Sequence, residues 1–277
     1  MIYFFKELFR TWSEQSPAQL AAALAYYGIF SFAPVIYVGI TIANLFFSSK
    51  AVNNQLYNRL GVVFTPQVID LIKNMVGTIS PPSTSSSIIL SIIGIGAILF
   101  AAAGLFNQLK FALNKIWDAP PPENSGVWDF IKNWLLFFVL VIGVGLILIL
   151  LLFANVLVSW LGSLFGIGAS VQYISPVILF GLLILYFGLL FKILPNVKIA
   201  WRDVWIGAFV TAVLVVLGGG LVGIYFRLGK LNSAAQAAGG FAVLLIGIYY
   251  IAQIFLLGAI FTRVYSGTFG SKSYPLS

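Results

Sequence analysis

The chain has 277 residues, of which 61% are hydrophobic and only 8% are charged, and its mean hydropathy is +1.04. A soluble protein of this length needs far more charge to remain dispersed, so the composition indicates an all-α polytopic membrane protein. Cysteine and histidine are absent, which excludes disulfides, zinc sites built on these residues and histidine acid–base chemistry. The net charge of +8 is explained by Lys and Arg beside anionic lipid headgroups, and we expect no nucleic-acid partner.

Residues 1–15 predict an amphipathic helix that lies in the membrane interface. Its apolar side carries Ile2, Phe5, Leu8, Phe9 and Trp12. Its charged residues, off that side, are Lys6, Glu7, Arg10 and Glu14. Because charge interrupts the apolar residues, the segment is not a signal peptide. Ser16-Pro17 predicts the start of the next helix, since proline is favoured at the first helical position.

Six apolar segments are long enough to cross a hydrocarbon core of about 30 Å as helices. They cover about Ala18–Phe47, Ile88–Leu109, Trp128–Trp160, Tyr173–Leu194, Val204–Phe226 and Phe241–Thr262. We number them spans one to six. Together they predict one six-span membrane domain over residues 1–277.

Residues 48–86 form the longest polar connection, and we expect them to be an extracytoplasmic amphipathic region. After Thr65-Pro66, apolar residues recur at helical spacing, at Val68, Leu71, Ile72, Met75, Val76 and Ile79. The opposite face carries Asp70, Lys73 and Asn74. Such a helix can lie on the outer leaflet, or it can cover a cavity between spans.

The distribution of Lys and Arg predicts the orientation of the chain. With both termini in the cytoplasm, five of the fifteen basic residues fall on the outer side. These are Lys50, Arg59, Lys73, Arg227 and Lys230. The others lie on the inner side, and because cytoplasmic loops carry an excess of Lys and Arg, we expect both termini to be cytoplasmic.

Five residues are candidates for substrate binding. Tyr26 and Tyr27 in span one and Gln253 in span six are polar side chains inside apolar helices, where they line a polar cavity or bond neighbouring helices. Arg227 and Lys230 follow span five near the outer surface. They either reach the lipid headgroups or form a mouth that attracts phosphate or carboxylate groups.

The carboxylates do not predict an enzyme. All seven are Glu7, Glu14, Asp70, Asp118, Glu123, Asp129 and Asp203. They are scattered over both predicted sides of the membrane and form no paired motif, so we expect no catalytic residue, metal site or cofactor. Asp203 precedes span five and is expected to cap that helix.

Four segments in the same order resemble the YihY/BrkB family of bacterial inner-membrane proteins, formerly labelled ribonuclease BN. They read AAALAYYGIFSFAP at 21–34, ALNKIW at 112–117, LPNVKIAWRDVWIGAFVTA at 194–212 and GGFAVLLIGIYYIAQIFLLGAIFTRVY at 239–265. The resemblance implies six helices with both termini in the cytoplasm, and a link to serum resistance or to lipid or solute export. The chain departs from the family at Ile260, where relatives usually carry an acidic residue.

Three functions are compatible with this sequence. The leading hypothesis is a transport or export protein that moves a small solute or a lipid through an intramembrane cavity, with membrane lipids and that substrate as partners. The alternative is an envelope scaffold that transports nothing, and a tightly packed bundle without a polar pocket would favour it. A ribonuclease is disfavoured by the missing histidine and the scattered acids. Homo-oligomers are compatible with each hypothesis.

Overall fold

The computed structural model describes residues 2–44, 48, 50, 52–54, 56–58, 69, 70, 72–74, 76, 103–120, 171–227 and 232–271. Every regular element in these ranges is a helix, which confirms the all-α class. We number the longer helices α1 (Ile2–Gln15), α2 (Pro17–Asn44), α3 (residues 103–116), α4 (Val171–Ile193), α5 (Trp201–Arg227) and α6 (Asn232–Thr268).

Three of the described helices are long and apolar enough to cross a membrane. The apolar lengths are Pro176–Ile193 in α4, Trp201–Leu221 in α5 and Leu244–Thr268 in α6, and they correspond to predicted spans four, five and six. Span one lies in α2, a helix of 28 residues. Span three and the part of span two before residue 103 lie outside the described residues, so the count of six spans stays a prediction.

A single left-handed residue separates α1 from α2. Ser16 has a φ of 49°, which ends α1, and its carbonyl accepts the N–H groups of Gln19 at 3.0 Å and Leu20 at 3.4 Å. Proline has no N–H to leave unpaired at the first helical position, so Pro17 starts α2 as the sequence predicts.

Helix α1 packs on the end of α6 through a side that overlaps only in part with the predicted apolar side, from which Leu8 and Trp12 also pack on the core. The buried residues at helical spacing are Phe4, Glu7, Thr11 and Gln15. The Phe4 ring packs against Phe261 of α6, with centroids 5.5 Å apart. Glu7 is therefore not solvated, and it accepts a hydrogen bond from Arg10 at 2.6 Å. That bond raises the pKa of the Arg10 guanidinium above its ordinary value.

Helix α6 is the centre of the described bundle. It packs against α1, α2 and α5, and α4 packs on α5 and also reaches α6, where Phe191 lies 5.3 Å from Phe255 between ring centroids. The main hydrophobic cluster includes residues of all six helices, and Leu256, Ala259 and Ile260 of α6 are fully buried in it. Ile260 is thus a core residue in this chain.

Helices α5 and α6 approach closely through two copies of one pattern, GAFVT at 207–211 and GAIFT at 258–262. A Cβ added to Gly207 would lie 1.9 Å from Oγ1 of Thr262, and one added to Gly258 would lie 2.0 Å from Oγ1 of Thr211. Each threonine hydroxyl donates to the carbonyl of the glycine four residues earlier in its own helix, at 2.7 Å. The two patterns therefore cross antiparallel, each threonine lying on the opposite glycine, as small residues allow in membrane helices.

The described parts of 48–86 are helical and have one buried side. Ile72 and Val76 are buried, whereas Asp70, Lys73 and Asn74 are exposed. Such a division is the one that an amphipathic helix requires. A nearby helical piece contributes Tyr57, whose ring lies 5.3 Å from Nζ of Lys73, and burial raises the pKa of Tyr57.

Candidate functional site

Gln253 lies within the apolar length of α6. Its Nε2 donates a hydrogen bond to Oη of Tyr249, one turn earlier in the same helix, at 2.7 Å. Its Oε1 is buried and has no hydrogen-bond partner among the described residues. The amide thus bonds within its own helix and keeps an open acceptor in a segment that can cross the membrane.

Tyr26 and Tyr27 lie next to each other on α2, and both side chains are exposed. Their rings pack edge to face with centroids 5.4 Å apart, and Tyr26 also packs against Phe30 at 5.2 Å. The Tyr27 ring lies on Gly104 of α3, where an added Cβ would come within 2.9 Å of it. Tyr26 is 59% exposed. The described contacts of the tyrosines are with α2 and α3, so a cavity shared with Gln253 stays a prediction.

The predicted basic mouth falls at the edge of the described structure. Arg227 is the last residue of α5. Its side chain, and the whole of Lys230, lie outside the described residues. The hypothesis of an anion-attracting mouth therefore stays a prediction.

Arg263 of α6 joins three helices at one end of the bundle. Its guanidinium donates to the backbone carbonyl of Ile116 and to Oδ2 of Asp118, which follows α3. Oδ1 of Asp118 accepts a hydrogen bond from Nε2 of Gln15, the last residue of α1, at 3.1 Å. The Arg263 side chain is 9% exposed and that of Asp118 is 55% exposed, so the ion pair is open to solvent on one side only.

The end of α3 explains why Asp118 can make this contact. The N–H of Ala119 donates to the carbonyl of Asn114 at 2.9 Å, and the N–H of Asp118 donates to that of Lys115 at 3.1 Å. These two bonds form a Schellman motif, in which Asp118 has a left-handed φ of 44°. The carbonyl of Ile116 is left free by the motif, and Arg263 satisfies it.

Asp203 forms a second polar contact at the end of α6, in addition to the Arg263–Asp118 ion pair. It is fully buried, and its Oδ2 accepts bonds from Oγ of Ser266 at 2.8 Å, from Oγ of Ser271 at 2.7 Å and from the Ser271 N–H at 3.1 Å. Oδ1 has no hydrogen-bond partner among the described residues. It lies against Gly270, where an added Cβ would be 2.6 Å away.

Asp203 therefore does not cap α5 as expected, because its side chain bonds residues at and beyond the end of α6 instead. The described hydrogen bonds of the Asp203 carboxylate go to Ser266 and Ser271 rather than to the first turn of α5. The carbonyl of Ala200 accepts the N–H groups of Asp203 and Val204 instead. Asp203 ties the end of α6 and the residues after it to the start of α5.

We call this set of side chains the polar junction. It consists of Gln15, Asp118, Asp203, Arg263, Ser266 and Ser271. Sequence reasoning treated Arg263 only as an orientation signal, and it assigned no role to Gln15, Ser266 or Ser271. No local pattern could have paired Arg263 with Asp118, because 145 residues separate them.

The polar junction also shows which segments lie at the same end of the bundle. Gln15 meets Asp118, Asp203 meets Ser266, and Oδ1 of Asn114 accepts the Asn196 N–H at 2.7 Å. These contacts bring together the start of α2, the end of α3, the α4–α5 loop and the end of α6. The arrangement agrees with their predicted placement on one side of the membrane.

Apart from Glu7 and Glu14, which share Arg10, the described acids occupy separate environments. Glu7 and Glu14 pair with Arg10, Asp70 pairs with Lys73, and Asp118 and Asp203 belong to different parts of the junction. Within the described ranges, no three His, Cys, Asp or Glu side chains lie close enough together to hold a metal ion. The charged groups of the junction, on Arg263, Asp118 and Asp203, bond to other groups of the protein. Their geometry therefore holds the ends of the helices together.

Asp203→Asn should lower the free energy of unfolding by about 1 kcal/mol, because a neutral amide accepts weaker hydrogen bonds than a carboxylate. The loss should be local, with faster amide hydrogen exchange at residues 269–271 than in the wild type. Asp70→Asn, at an exposed carboxylate that pairs with Lys73, is the matched control and should leave that exchange unchanged. Equal protection of residues 269–271 in wild type and Asp203→Asn would show that the carboxylate does not hold this segment.

A family model described as "Virulence factor BrkB" matches residues 8–275. The chain belongs to the BrkB family. The match includes α2 to α6 in full and most of α1. The residues of the polar junction and of the α5–α6 crossing in this BrkB chain therefore lie within the region that the family model matches. The resemblance derived from four segments is confirmed.

The BrkB chain is similar to bacterial proteins described as UPF0761 membrane proteins. It is 26% identical over 269 residues to one from Saccharophagus degradans, covering 94% of this chain and 59% of that protein. It is 26% identical over 270 residues to one from Teredinibacter turnerae, with 95% and 60% coverage. For one from Pseudoalteromonas atlantica the identity is 27% over 258 residues, with 91% and 82% coverage. The chain thus spans about three fifths of the length of the first two relatives, and no solved structure matches it.

Proposed function

We propose that this BrkB protein is a transport or export protein that moves a small solute or a lipid across the membrane. The observation that carries the proposal is the side chain of Gln253. Among the described residues, its buried Oε1 has no hydrogen-bond partner and its Nε2 donates only to Tyr249. In hydrocarbon an unpaired polar group costs free energy, so a polar side chain inside a span usually bonds another helix or serves a polar path. The described bond of Gln253 stays within α6, which favours the polar path.

The chemistry of Gln253 limits what can pass it. An amide oxygen accepts a hydrogen bond, and the neighbouring Tyr249 hydroxyl can donate one. This pair therefore suits a substrate with a hydroxyl, an ammonium or an amide group, either free or on a lipid headgroup. Neither side chain carries charge, so the pair does not by itself supply coupling to protons.

We place the protein in the bacterial inner membrane with both termini in the cytoplasm. Bacterial relatives and the candidate spans support a membrane location. The predicted inner basic residues Lys115, Lys198 and Arg263 belong to segments that meet at the polar junction, and an excess of Lys and Arg is typical of the cytoplasmic side. Membrane lipids are partners in this proposal, and a homo-oligomer is compatible with it.

We also propose that the protein is not an enzyme and uses no nucleic acid or cofactor. The support is the separation of the described acids: Glu7 and Glu14 share Arg10, whereas Asp70, Asp118 and Asp203 each contact a different basic or hydroxyl group. A pair of acids sharing one site, as hydrolytic chemistry needs, is not formed by Glu7, Asp70, Asp118 and Asp203.

Reconstitution into liposomes tests the transport proposal. The purified full chain should accelerate the movement of at least one of three probe classes over empty vesicles: a fluorescent phospholipid, a small polyol or an organic anion. Movement no faster than in empty vesicles for all three would refute transport and leave the envelope scaffold as the function.

Gln253→Leu should reduce the initial rate of the active probe about tenfold, the effect of losing roughly one hydrogen bond to the moving substrate. Its thermal stability should be equal to or above that of the wild type, because the unpaired Oε1 is removed. Ile251→Leu, at an exposed position of the same helix, should leave the rate unchanged. A Gln253→Leu protein with the wild-type rate would show that Gln253 does not line the path.

A further inference from the structure

A patch of basic and aromatic side chains lies on the loop between α4 and α5. Lys198, Trp201, Arg202 and Trp205 are all exposed. The apolar length of α4 ends at Ile193 and that of α5 begins at Trp201. The patch is therefore at the boundary between hydrocarbon and headgroups, the level at which Trp, Lys and Arg meet lipid.

The loop is held in one arrangement by contacts within the protein. Nζ of Lys192 donates to the backbone carbonyl of Ile199 and lies 5.3 Å from the centroid of the Trp201 ring. The Asn196 N–H is fixed by Asn114 of α3. Lys192 is thus a positioning residue that orients Trp201. The ammonium group of Lys198 and the guanidinium group of Arg202 remain exposed and can bind a ligand.

An apolar ridge descends from the patch along α5. Trp201, Trp205 and Phe209 follow each other one turn apart, and the two tryptophan rings stack with centroids 6.2 Å apart. Phe209 is exposed, and its ring packs edge-on against Phe180 of α4 at 5.8 Å. Trp205 lies against Gly188, where an added Cβ would be 3.8 Å from its ring. The ridge and α4 together form an apolar surface beneath the basic residues.

Among the described residues, Asp203 is the acid adjacent to the patch, and it interacts with the charge of Arg202 without forming an ion pair with it. Asp203 is fully buried, and its described hydrogen bonds go to Ser266 and Ser271. Among the described residues, no ion pair joins Arg202 or Lys198 to a carboxylate. Two exposed cations above an apolar ridge match a molecule with an anionic head and an acyl chain.

We propose that this patch binds one anionic phospholipid of the surrounding bilayer. Lys198 and Arg202 contact the phosphate, the Trp201–Trp205 stack supports the glycerol region, and the first acyl chain lies along Phe209. Lys and Arg near a membrane surface each add to the affinity for anionic lipid, and an aromatic ring fits the interfacial region of a lipid. The site is separate from the transport path proposed at Gln253.

Native mass spectrometry of the full chain in detergent tests this proposal. Dioleoyl phosphatidylglycerol should bind more tightly than dioleoyl phosphatidylcholine, which has the same chains and no net charge. The double variant Lys198→Gln/Arg202→Gln should bind phosphatidylglycerol about tenfold more weakly. Lys6→Gln/Lys115→Gln removes the same charge from exposed residues of other helices and should bind within twofold of the wild type.

Three outcomes would overturn the proposal. Equal affinity for the two lipids in the wild type would show that charge does not select the ligand. An equal loss in both double variants would show that only the net charge matters. Competition by glycerol 3-phosphate at the lipid's own concentration would show a site for free phosphate rather than for a lipid. Each readout is independent of liposome transport.

Discussion

Gly207→Ala is expected to lower the free energy of unfolding by about 3 kcal/mol, at the upper end of the usual cost of overpacking. The added Cβ would lie 1.9 Å from Oγ1 and 2.7 Å from Cβ of Thr262, so rotating the threonine cannot relieve the clash. The backbones of α5 and α6 must separate, and separation also disturbs Thr211 against Gly258. The gain of about 1 kcal/mol from alanine's helix propensity does not offset this cost.

Gly219→Ala is the matched control for this prediction. It makes the same change in the same helix, but nothing lies within 4 Å of the added Cβ. Equilibrium unfolding in mixed micelles should therefore show Gly219→Ala to be as stable as the wild type or more stable. If Gly207→Ala were equally harmless, the close approach of the two helices would be disproved.

Exchanging Gly207 and Thr262 between the two helices tests their contact directly. The double variant Gly207→Thr/Thr262→Gly moves the larger side chain to the other helix and keeps one glycine at the contact. We expect it to recover at least half of the stability that Gly207→Thr alone loses, because residues in contact do not act additively. The absence of any recovery would show that Gly207 is required for a reason other than its contact with Thr262.

Arg263→Leu is expected to lower the free energy of unfolding by about 2 kcal/mol. Breaking a fully buried ion pair costs about 3–5 kcal/mol, and we reduce that value because half of Asp118 is in solvent. The substitution also leaves the carbonyl of Ile116 without the donor that the Schellman motif requires from outside α3. Thermal unfolding in detergent measures the loss.

The variants of Asp118 separate the ion pair from the packing of Arg263. Asp118→Asn keeps a residue that tolerates the left-handed φ and can still accept the Gln15 bond, so it should cost about 1 kcal/mol. The double variant with Arg263→Leu should be less destabilised than the sum of the two. Lys115→Gln, an exposed cation in the last turn of α3, is the control and should change little. Strict additivity would contradict a direct pair between Arg263 and Asp118.

Local chemistry explains the features that could be predicted. Proline after Ser16 predicts where α2 begins, because proline is favoured at the first position of a helix, where its missing N–H needs no partner. The apolar runs predict α4, α5 and α6, because a backbone in hydrocarbon must satisfy its hydrogen bonds within the helix. The four family segments predicted the family that the comparison confirmed.

Contacts between distant segments explain the features that could not be predicted. Glu7 reads as a surface residue from its spacing, yet α1 turns that side toward α6. Asp203 reads as a helix cap, yet its carboxylate accepts hydrogen bonds from Ser266 and Ser271. The two GAxxT patterns are visible in the sequence, but only the crossing of α5 and α6 shows that each threonine lies on the opposite glycine.

By itself, the sequence determined that this chain is an all-helical membrane protein, because hydropathy and helical periodicity act over one or two turns at a time, and the resemblance of four segments predicted the BrkB family. Only the tertiary structure decided that α6 is the centre of the described helices. It also decided that Arg263 meets Asp118 and that Oε1 of Gln253 has no hydrogen-bond partner among the described residues. These outcomes depend on which faces of distant helices pack together, and that choice is made by the shape and charge of residues that lie far apart in the chain.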